Sequence, residues 1–308
     1  MSEATAVMFH HFHGGSHRQS PGSIDDHTLD ELISEIEREF NILGAEEFRQ
    51  KVESRSLSAN DTCLTFDDAL KSQVDVAVPV LESRGITAQF FVYSTAFEPG
   101  GAELEIVRDF RSQKFESTEI FLIALLDSLE ALDGDIRQLL QDKFPPNYLA
   151  QYSFYSLADR QLRFLRDEML TADQYSSAMR RLMDDAGVDQ EEVRQRVIMS
   201  LDDLRLLSQN GHEIGLHSHS HPTRIDEYDT TQVADEYESN FSFITNVTGK
   251  RPRTMSHPCG RFSEQSLQAL RNLGISVGFI DSPTPNVNND PLCIPRHDHS
   301  DLVRLLLT

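Results

Sequence analysis

The sequence predicts an α/β fold in which parallel strands form a closed or nearly closed barrel. Short apolar segments alternate with amphipathic helical segments along most of the 308 residues, and this alternation is typical of parallel sheets. Polar residues follow each of seven predicted strands, at the end where barrels of this kind place their functional groups. With 39% hydrophobic residues, the chain can bury one large core.

Three strands and two helices make up the first part of the predicted barrel. The strands are TAVMFHHF, DTCLTFDD and ITAQFFVYST, in which β-branched and aromatic residues are common. Asp25 is expected to cap the helix after strand one, and Gly44 is expected to end it. The helix after strand two is interrupted near Pro79 and ends at Gly85.

Residues 98–199 are predicted to form a predominantly helical insertion within a single barrel domain that spans residues 1–308. In the clearest case a helix begins at Ser117, carries apolar residues on one face and ends before Gly134. Pro145-Pro146 then interrupts the helical pattern. A lid, an interaction surface and simple packing all remain open as roles of the insertion.

Four further strands complete the predicted barrel. Ser200 and Asp203 are expected to cap a helix that leads to strand four, GHEIGLHSHSH. A long helix over about residues 231–248 precedes strand five, RTMSHPCG. A helix capped by Ser263 precedes strand six, SVGFIDS, and LCIPRHDH is strand seven.

Charge and cysteine content exclude several classes of protein. Fifty acidic and 28 basic residues give a net charge of −22, which opposes binding to nucleic acid or anionic lipid. No apolar run is long enough to span a membrane, and the first residues lack the pattern of a signal peptide, so we expect a cytoplasmic protein. Three widely separated cysteines, Cys63, Cys259 and Cys293, fit reduced thiols and exclude a cysteine zinc knuckle.

Histidines at alternate positions end strand four and suggest a metal site. His217, His219 and His221 follow an apolar run, and imidazole is a common ligand of divalent metals. A run of surface histidines is the alternative. Asp67 and Asp68 end strand two, where they serve either a site or the N-terminus of the next helix.

Barrel topology would bring distant polar residues into one cleft. The carboxyl ends of the strands converge on one face, so residues separated widely in the sequence are expected to meet there. One carboxylate and two imidazoles would leave open positions on a divalent ion for water and a substrate carbonyl oxygen. The residues expected to share the cleft are Asp67, Asp68, His217, His221, Cys259, Arg296 and His297.

Three motifs resemble the polysaccharide deacetylases of the NodB-homology type, carbohydrate esterase family four. They are T-F-D-D at 65–68, G-H-E-I-G-L-H-S-H-S-H at 211–221 and H-P-C-G at 257–260. M-F-H-H near the start resembles the opening M-Y-H strand of one branch of the family, and I-P-R-H resembles its closing strand. The resemblance covers the chain up to about residue 97 and again from residue 200, and it implies a distorted (β/α)7 barrel.

The resemblance also implies a metal centre. Asp68, His217 and His221 would bind a divalent ion, most often zinc, with cobalt or nickel also accepted. Asp67 would be the general base that deprotonates the attacking water. Ser218 would brace the loop between the two histidines.

Further catalytic roles follow from the same resemblance. The backbone N–H of Cys259 would stabilise the developing oxyanion, and Arg296 would orient Asp67. A histidine of the last strand would protonate the leaving amine, and His297 is preferred to His299. His10 and His13 would line the substrate pocket or have structural roles.

The implied function is a metal-dependent hydrolase that removes an N-acetyl group from an amino sugar or glycan precursor, in surface polysaccharide biosynthesis. The expected cytoplasmic location favours a small or nucleotide-linked sugar. The sequence departs from the family at Ala69, where glycine is usual, at Ser256, where one branch has arginine, and in its lack of tryptophan. These departures concern the substrate and the acid–base residues more than the metal ligands.

Two other functions remain open from the sequence. A barrel phosphoesterase or amidohydrolase would use His11 and His13 as a metal pair. A non-catalytic carbohydrate-binding protein would keep the pocket without turnover. The identity of the sugar and the oligomeric state are not determined by the sequence.

Overall fold

A computed structural model describes residues 5–133, 135–150, 155–281 and 290–307 of the chain. The chain divides into two compact units. A barrel unit comprises Met1–Gln19, Ser23–Gly101 and Ile198–Thr308, and a helical unit comprises Ser20–Gly22 and Ala102–Val197.

The strands are short. They are β1 (Ala6–Phe9), β2 (Asn41–Ile42), β3 (Asp61–Thr62), β4 (Leu64–Phe66), β5 (Gln89–Val92), β6 (Glu213–Leu216), β7 (Thr254–Ser256), β8 (Val277–Phe279) and β9 (Arg296–Asp298). The helices are α1 (Asp26–Glu39), α2 (Ala45–Glu53), α3 (Val78–Arg84), α4 (Glu103–Lys114), α5 (Thr118–Asp133), α6 (Ile136–Lys143), α7 (Leu157–Phe164), α8 (Ala172–Asp185), α9 (Gln190–Val197), α10 (Leu201–Gln209), α11 (Thr230–Thr248), α12 (Glu264–Leu273) and α13 (His299–Leu306).

Seven parallel strands form a nearly closed barrel, which confirms the predicted fold class. Their order is β8-β7-β6-β5-β4-β1-β9. A parallel bridge between Phe279 and Ile294 joins the end of β8 to the segment just before β9. The ring is therefore almost continuous, as expected of a distorted (β/α)7 barrel. Strands β2 and β3 form a separate parallel pair that the sequence analysis did not predict.

Side chains alternate between the inside of the barrel and the surrounding helices, as strand geometry requires. Ala6, Phe91 and Phe279 pack together in one cluster. Their neighbours on the same strands, such as Val7 and Phe90, belong to a larger cluster formed with the helices. This alternation decides which polar residues at the strand ends face the interior.

Helix caps follow the sequence predictions in most places. The Asp25 side chain accepts a hydrogen bond from Thr28 N at the start of α1, and Ser200 and Asp203 form a capping box on α10. The predicted end of α1 at Gly44 is wrong. The helix stops before Phe40, whose extended backbone leads into β2, and Gly44 precedes α2.

The helical unit contains α4 to α9 and has a hydrophobic core of its own. Phe110, Phe121, Leu125 and Leu165 are at most 1% exposed in this core. Helix α5 begins directly after Ser117, as predicted, whereas the predicted stop at Gly134 lies outside the described residues. None of the helices in the described part of the chain is long and apolar enough to cross a membrane.

Candidate active site

A carboxylate and two imidazoles meet at the carboxyl end of the barrel. Asp68 follows β4, whereas His217 and His221 follow β6. Asp68 Oδ1 lies 3.4 Å from His217 Nε2 and 3.5 Å from His221 Nε2. One potential ligand atom from each residue lies within 4.8 Å of the others. Among the described residues, these three form the cluster of histidine and acidic side chains that could hold a metal ion. Two imidazole nitrogens and one carboxylate oxygen form a suitable ligand set for a divalent ion.

The backbone at these candidate ligands adopts an uncommon conformation. Asp68 has φ 76° and His221 has φ 53°, and Ser218 between the two histidines has φ 65°. These angles lie in the left-handed region, which is costly for residues with a Cβ and often found at functional sites. Ala69, where the resembling family has glycine, also has a positive φ of 57°. The substitution of glycine by alanine therefore leaves the backbone turn in place but adds strain.

A hydrogen bond fixes the orientation of the His217 ring. His217 Nδ1 lies 2.8 Å from the carbonyl oxygen of Ser256, so Nδ1 carries the proton that it donates. In the neutral ring, Nε2 then carries the lone pair and faces Asp68. A ligand histidine held in this way by a backbone carbonyl is common at metal sites, and the residues present therefore fit a divalent ion.

The site perturbs the protonation of its members. Burial raises the pKa of Asp68, but the hydrogen bond from His217 and the charge of His221 outweigh it and leave the pKa far below its ordinary value. Burial lowers the pKa of His217, but the Asp67 and Asp68 carboxylates raise it by more than burial lowers it, so the net shift is upward. Burial dominates at His221, whose pKa is lowered.

Asp67 forms a buried ion pair with Arg296. The guanidinium donates from Nη1 to Asp67 Oδ1 and from Nη2 to Oδ2, both at 2.8 Å. Ser256 Oγ donates to the same Oδ2 at 3.0 Å. Burial raises the pKa of Asp67, yet Arg296 and His217 lower it more, so the carboxylate stays ionised. Arg296 thus occupies the position beside Asp67 that the sequence analysis assigned to it.

His10 lies at the edge of the candidate metal site. Its Nε2 is 3.8 Å from Asp68 Oδ2, and its side chain is 28% exposed. Gln73, which is fully buried, donates from Nε2 to the carbonyl oxygens of both His10 and Asp67, at 3.0 and 2.6 Å. Gln73 therefore holds the ends of β1 and β4 in a fixed relation.

The structure does not bring His297 to the candidate metal site. Arg296 pairs in register with Ala6, a residue of the barrel interior, whereas His297 pairs with Val7, which faces the helices. Adjacent residues of a strand point to opposite sides, so the imidazole of His297 faces away from Asp67. His299 begins α13 and stacks on Phe9 at 5.4 Å. Neither placement supports the predicted role as general acid.

Cys259 and His219, two further residues considered in the sequence analysis, have different surroundings. Cys259 is exposed in the turn after β7, with φ 52°, and its predicted role stays a prediction. His219 Nδ1 lies 2.8 Å from Ser94 Oγ, so its imidazole braces the loop against the end of β5. The expectation that His219 is no metal ligand stays a prediction.

The alternative metal pair receives no support from the described residues. His13 Nδ1 lies 2.9 Å from Ser23 Oγ, and His11 stacks on His10 at 6.1 Å. Neither joins the cluster of three ligands. The fold and the site together define a parallel-stranded barrel with a His-His-Asp centre beside a buried Asp–Arg pair.

Comparison with known proteins places these features in a family context. The sequence model of the polysaccharide deacetylase family matches residues 182–278, a range that includes both His217 and His221. This match confirms the predicted resemblance to polysaccharide deacetylases. No curated protein sequence matches the chain significantly.

Solved structures show the same fold at low sequence identity. The deacetylase PplD from Streptococcus pyogenes, in complex with acetate, is 14% identical with a TM-score of 0.56 over 99% of this chain and 98% of that one. IcaB from Ammonifex degensii is 12% identical with a TM-score of 0.58, over 100% and 97% of the two chains. The BpsB deacetylase domain from Bordetella bronchiseptica is 15% identical with a TM-score of 0.55, over 96% and 94%.

Two buried polar residues near the site were not predicted from the sequence. Gln73 and Asn240 are fully buried, and Asn240 lies on the same helical face as the buried Tyr237 and Ile244. A polar residue on an otherwise apolar helical face is a signal of a buried hydrogen-bond network. This signal was available in the sequence.

Proposed function

We propose that this protein is a metal-dependent hydrolase that removes an N-acetyl group from an amino sugar within a glycan or glycan precursor. The observation that carries the proposal is the Asp68, His217 and His221 cluster directly beside the buried Asp67–Arg296 pair. The resemblance to polysaccharide deacetylases agrees with it. Surface polysaccharide biosynthesis is the proposed process.

A divalent ion fits Asp68, His217 and His221, and it would supply a Lewis acid that polarises the acetamide carbonyl and activates a water. Zinc is the ion proposed, with cobalt or nickel as substitutes. Asp67 would accept a proton from the water as the oxygen attacks the carbonyl carbon. Arg296 and Ser256 hold both carboxylate oxygens of Asp67 and so fix the direction from which the proton is taken.

His10 is proposed as the general acid in place of His297. Its imidazole is partly exposed and lies 3.8 Å from the Asp68 carboxylate, so it borders both the predicted metal site and solvent. Transfer of its proton to the nitrogen would accompany cleavage of the C–N bond. The products are acetate and a free amino sugar.

The substrate is proposed to be a small or nucleotide-linked N-acetylated sugar. This preference depends on the predicted cytoplasmic location, which stays a prediction. At this face of the barrel His10 is partly exposed and Asp67 is buried. This arrangement supports a site that opens to solvent at His10 and keeps the base, Asp67, away from solvent.

Acetate release tests the proposed function. Purified protein supplied with zinc or cobalt is expected to release acetate from at least one class among N-acetylated monosaccharides, sugar nucleotides and lipid-linked glycans. Asp67→Asn should abolish release while ligand binding is kept, because the base is lost whereas the metal-binding cluster is unchanged. Folded, metal-loaded protein that releases no acetate from any of these substrates would contradict the proposal, and retained ligand binding would then favour a carbohydrate-binding role.

A further inference from the structure

Helix α11 lies against the loop that carries both histidine ligands. We call residues 217–221 the histidine loop. Three residues of this loop, His217, His219 and Ser220, form hydrogen bonds outside the loop. Two side chains of α11, Glu236 and Asn240, accept hydrogen bonds from three backbone N–H groups of the histidine loop.

Glu236 binds the middle of the histidine loop. Its Oε2 accepts hydrogen bonds from the backbone N–H of His219 at 2.9 Å and of Ser220 at 2.8 Å. Its Oε1 accepts from the Ser220 hydroxyl. A carboxylate that accepts three donors from two consecutive residues fixes the backbone between the two ligands more firmly than a neutral acceptor would.

Asn240 binds the start of the loop one helical turn later. Its Oδ1 accepts from the backbone N–H of His217 at 3.0 Å, and its Nδ2 donates to the carbonyl oxygen of Val92 at 3.0 Å. Residues four apart lie on one helical face, so Glu236 and Asn240 address neighbouring parts of the same loop. Asn240 also ties the loop to the end of β5.

The backbone of the loop makes such support necessary. Ser218 and His221 both have positive φ angles, a conformation that persists only where surrounding contacts outweigh its cost. Inside the loop, the His221 N–H donates to Ser218 Oγ at 3.0 Å. The contacts from α11 hold His217, His219 and Ser220, which take no part in this internal bond.

We propose that Glu236 and Asn240 are positioning residues that set the metal affinity of the site through the histidine loop. They contact backbone atoms of the loop and contribute no atom to the ligand cluster. The inference depends on the proposed function, because it assumes that His217 and His221 bind a divalent ion.

Metal affinity measured without substrate tests this inference. Zinc affinity is determined by competition with a chelator, and the visible spectrum of the cobalt form reports the ligand geometry. Glu236→Met is expected to lower zinc affinity by about 10–100-fold, the usual cost of losing a residue that orients a ligand. Glu236→Gln keeps an acceptor and should show a smaller loss.

The chain offers a matched control and a milder variant. Glu238 lies on the same helix and is exposed, so Glu238→Met makes the same chemical change away from the loop and should leave zinc affinity unchanged. Ser220→Ala removes only the hydroxyl donor to Glu236 and keeps the inference testable if Glu236→Met fails to fold. It is expected to cause a small loss of affinity.

The outcomes separate the two proposals. If wild-type protein and Glu236→Met bind zinc equally well, with identical cobalt spectra, the positioning role is wrong while the metal site stands. A lower melting temperature with unchanged affinity would equally overturn it, because it would show a structural role alone. If the wild-type protein binds no ion, the proposed function fails and the inference fails with it.

Discussion

Arg296 and Asp67 form a two-point ion pair inside the barrel although 229 positions separate them in the sequence. Arg296 is 1% exposed and Asp67 is 2% exposed. The same guanidinium also donates to Thr65 Oγ1, Ser256 Oγ and the carbonyl oxygen of Ile280. A charge buried so completely needs these partners, since removal from water is otherwise costly.

Replacement of Arg296 should change both stability and the pH dependence of activity. Arg296→Met leaves the Asp67 carboxylate buried without its partner, which is expected to cost about 3–5 kcal/mol of unfolding free energy. The pKa of Asp67 should rise, because Arg296 lowers it in the native protein. Because the base must be ionised, the acidic limb of the kcat/KM profile should move to higher pH.

Two further variants control this experiment. Arg296→Lys keeps the charge but cannot form two parallel hydrogen bonds, so a smaller shift of the acidic limb is expected. In the double variant Asp67→Asn with Arg296→Met, the lost stability should be partly regained. An acidic limb at the same pH in wild-type protein and Arg296→Met would show that Asp67 is not the titrating base.

Metal binding should depend on the cluster and not on the first strand. His217→Ala and Asp68→Asn are expected to reduce zinc affinity by more than about 100-fold, since loss of a direct ligand exceeds the cost of losing an orienting residue. His11→Ala should retain one ion per chain. Metal analysis after dialysis and titration with zinc measure both. Loss of the ion in His11→Ala with retention in His217→Ala would favour the His11 and His13 site.

Zinc affinity should also decrease as the pH is lowered. Histidine must be neutral to bind a metal, and the pKa of His217 is raised by Asp67 and Asp68 after burial has lowered it. Protons therefore compete with the ion at this residue as the solution becomes more acidic. Titrations at several pH values with the wild-type protein check this, and a pH-independent affinity would contradict it.

Removal of the general acid should distinguish His10 from His297. His10→Gln is expected to lower kcat by about 10²–10⁴-fold, the usual contribution of general acid catalysis, with zinc affinity largely kept. His297→Gln should have little effect, because its side chain faces the helices. Kinetics of acetate release with metal-loaded protein measure both, and the reverse result would restore the original prediction for His297.

His257 should make stability fall in acid. Burial lowers its pKa from 6.5 to about 4, and its Nε2 lies 2.9 Å from the carbonyl oxygen of Leu292. The unfolded chain therefore takes up this proton at a higher pH than the folded protein. The contribution of the neutral ring is complete above pH 6.5 and is lost as the pH falls towards 4, by about 3 kcal/mol.

Comparison with a variant isolates this effect from the many carboxylates that titrate in the same range. His257→Gln keeps a donor for Leu292 but has no ionisable group. The difference in unfolding free energy between wild-type protein and His257→Gln should be constant at alkaline pH and shrink by about 3 kcal/mol on acidification. A difference that does not vary with pH would refute the assignment.

The barrel could be predicted because its signals are local. Apolar segments of strand length, Asp25 and Ser200 at helix starts, and polar residues after each strand are all read from neighbouring positions. The spacing of His217 and His221, together with Asp67 and Asp68, singled out the residues that the structure places together. Strand β2 and its pairing with β3 were missed because a two-residue strand carries no periodic pattern, whereas the residues of β3 lie within the predicted strand two.

Orientation within the barrel was decided by the tertiary structure. Arg296 and His297 are neighbours in the sequence, and only the register of β9 on β1 sends one to the interior and the other to the helices. A shift of one residue would exchange them. The sequence alone thus singled out Asp67, Asp68, His217, His221 and Arg296 as candidate site residues and placed them near the ends of their strands. Only the packing of strands and of α11 decided which of them face Asp67 and how the histidine loop is held, because those contacts join residues far apart in the chain.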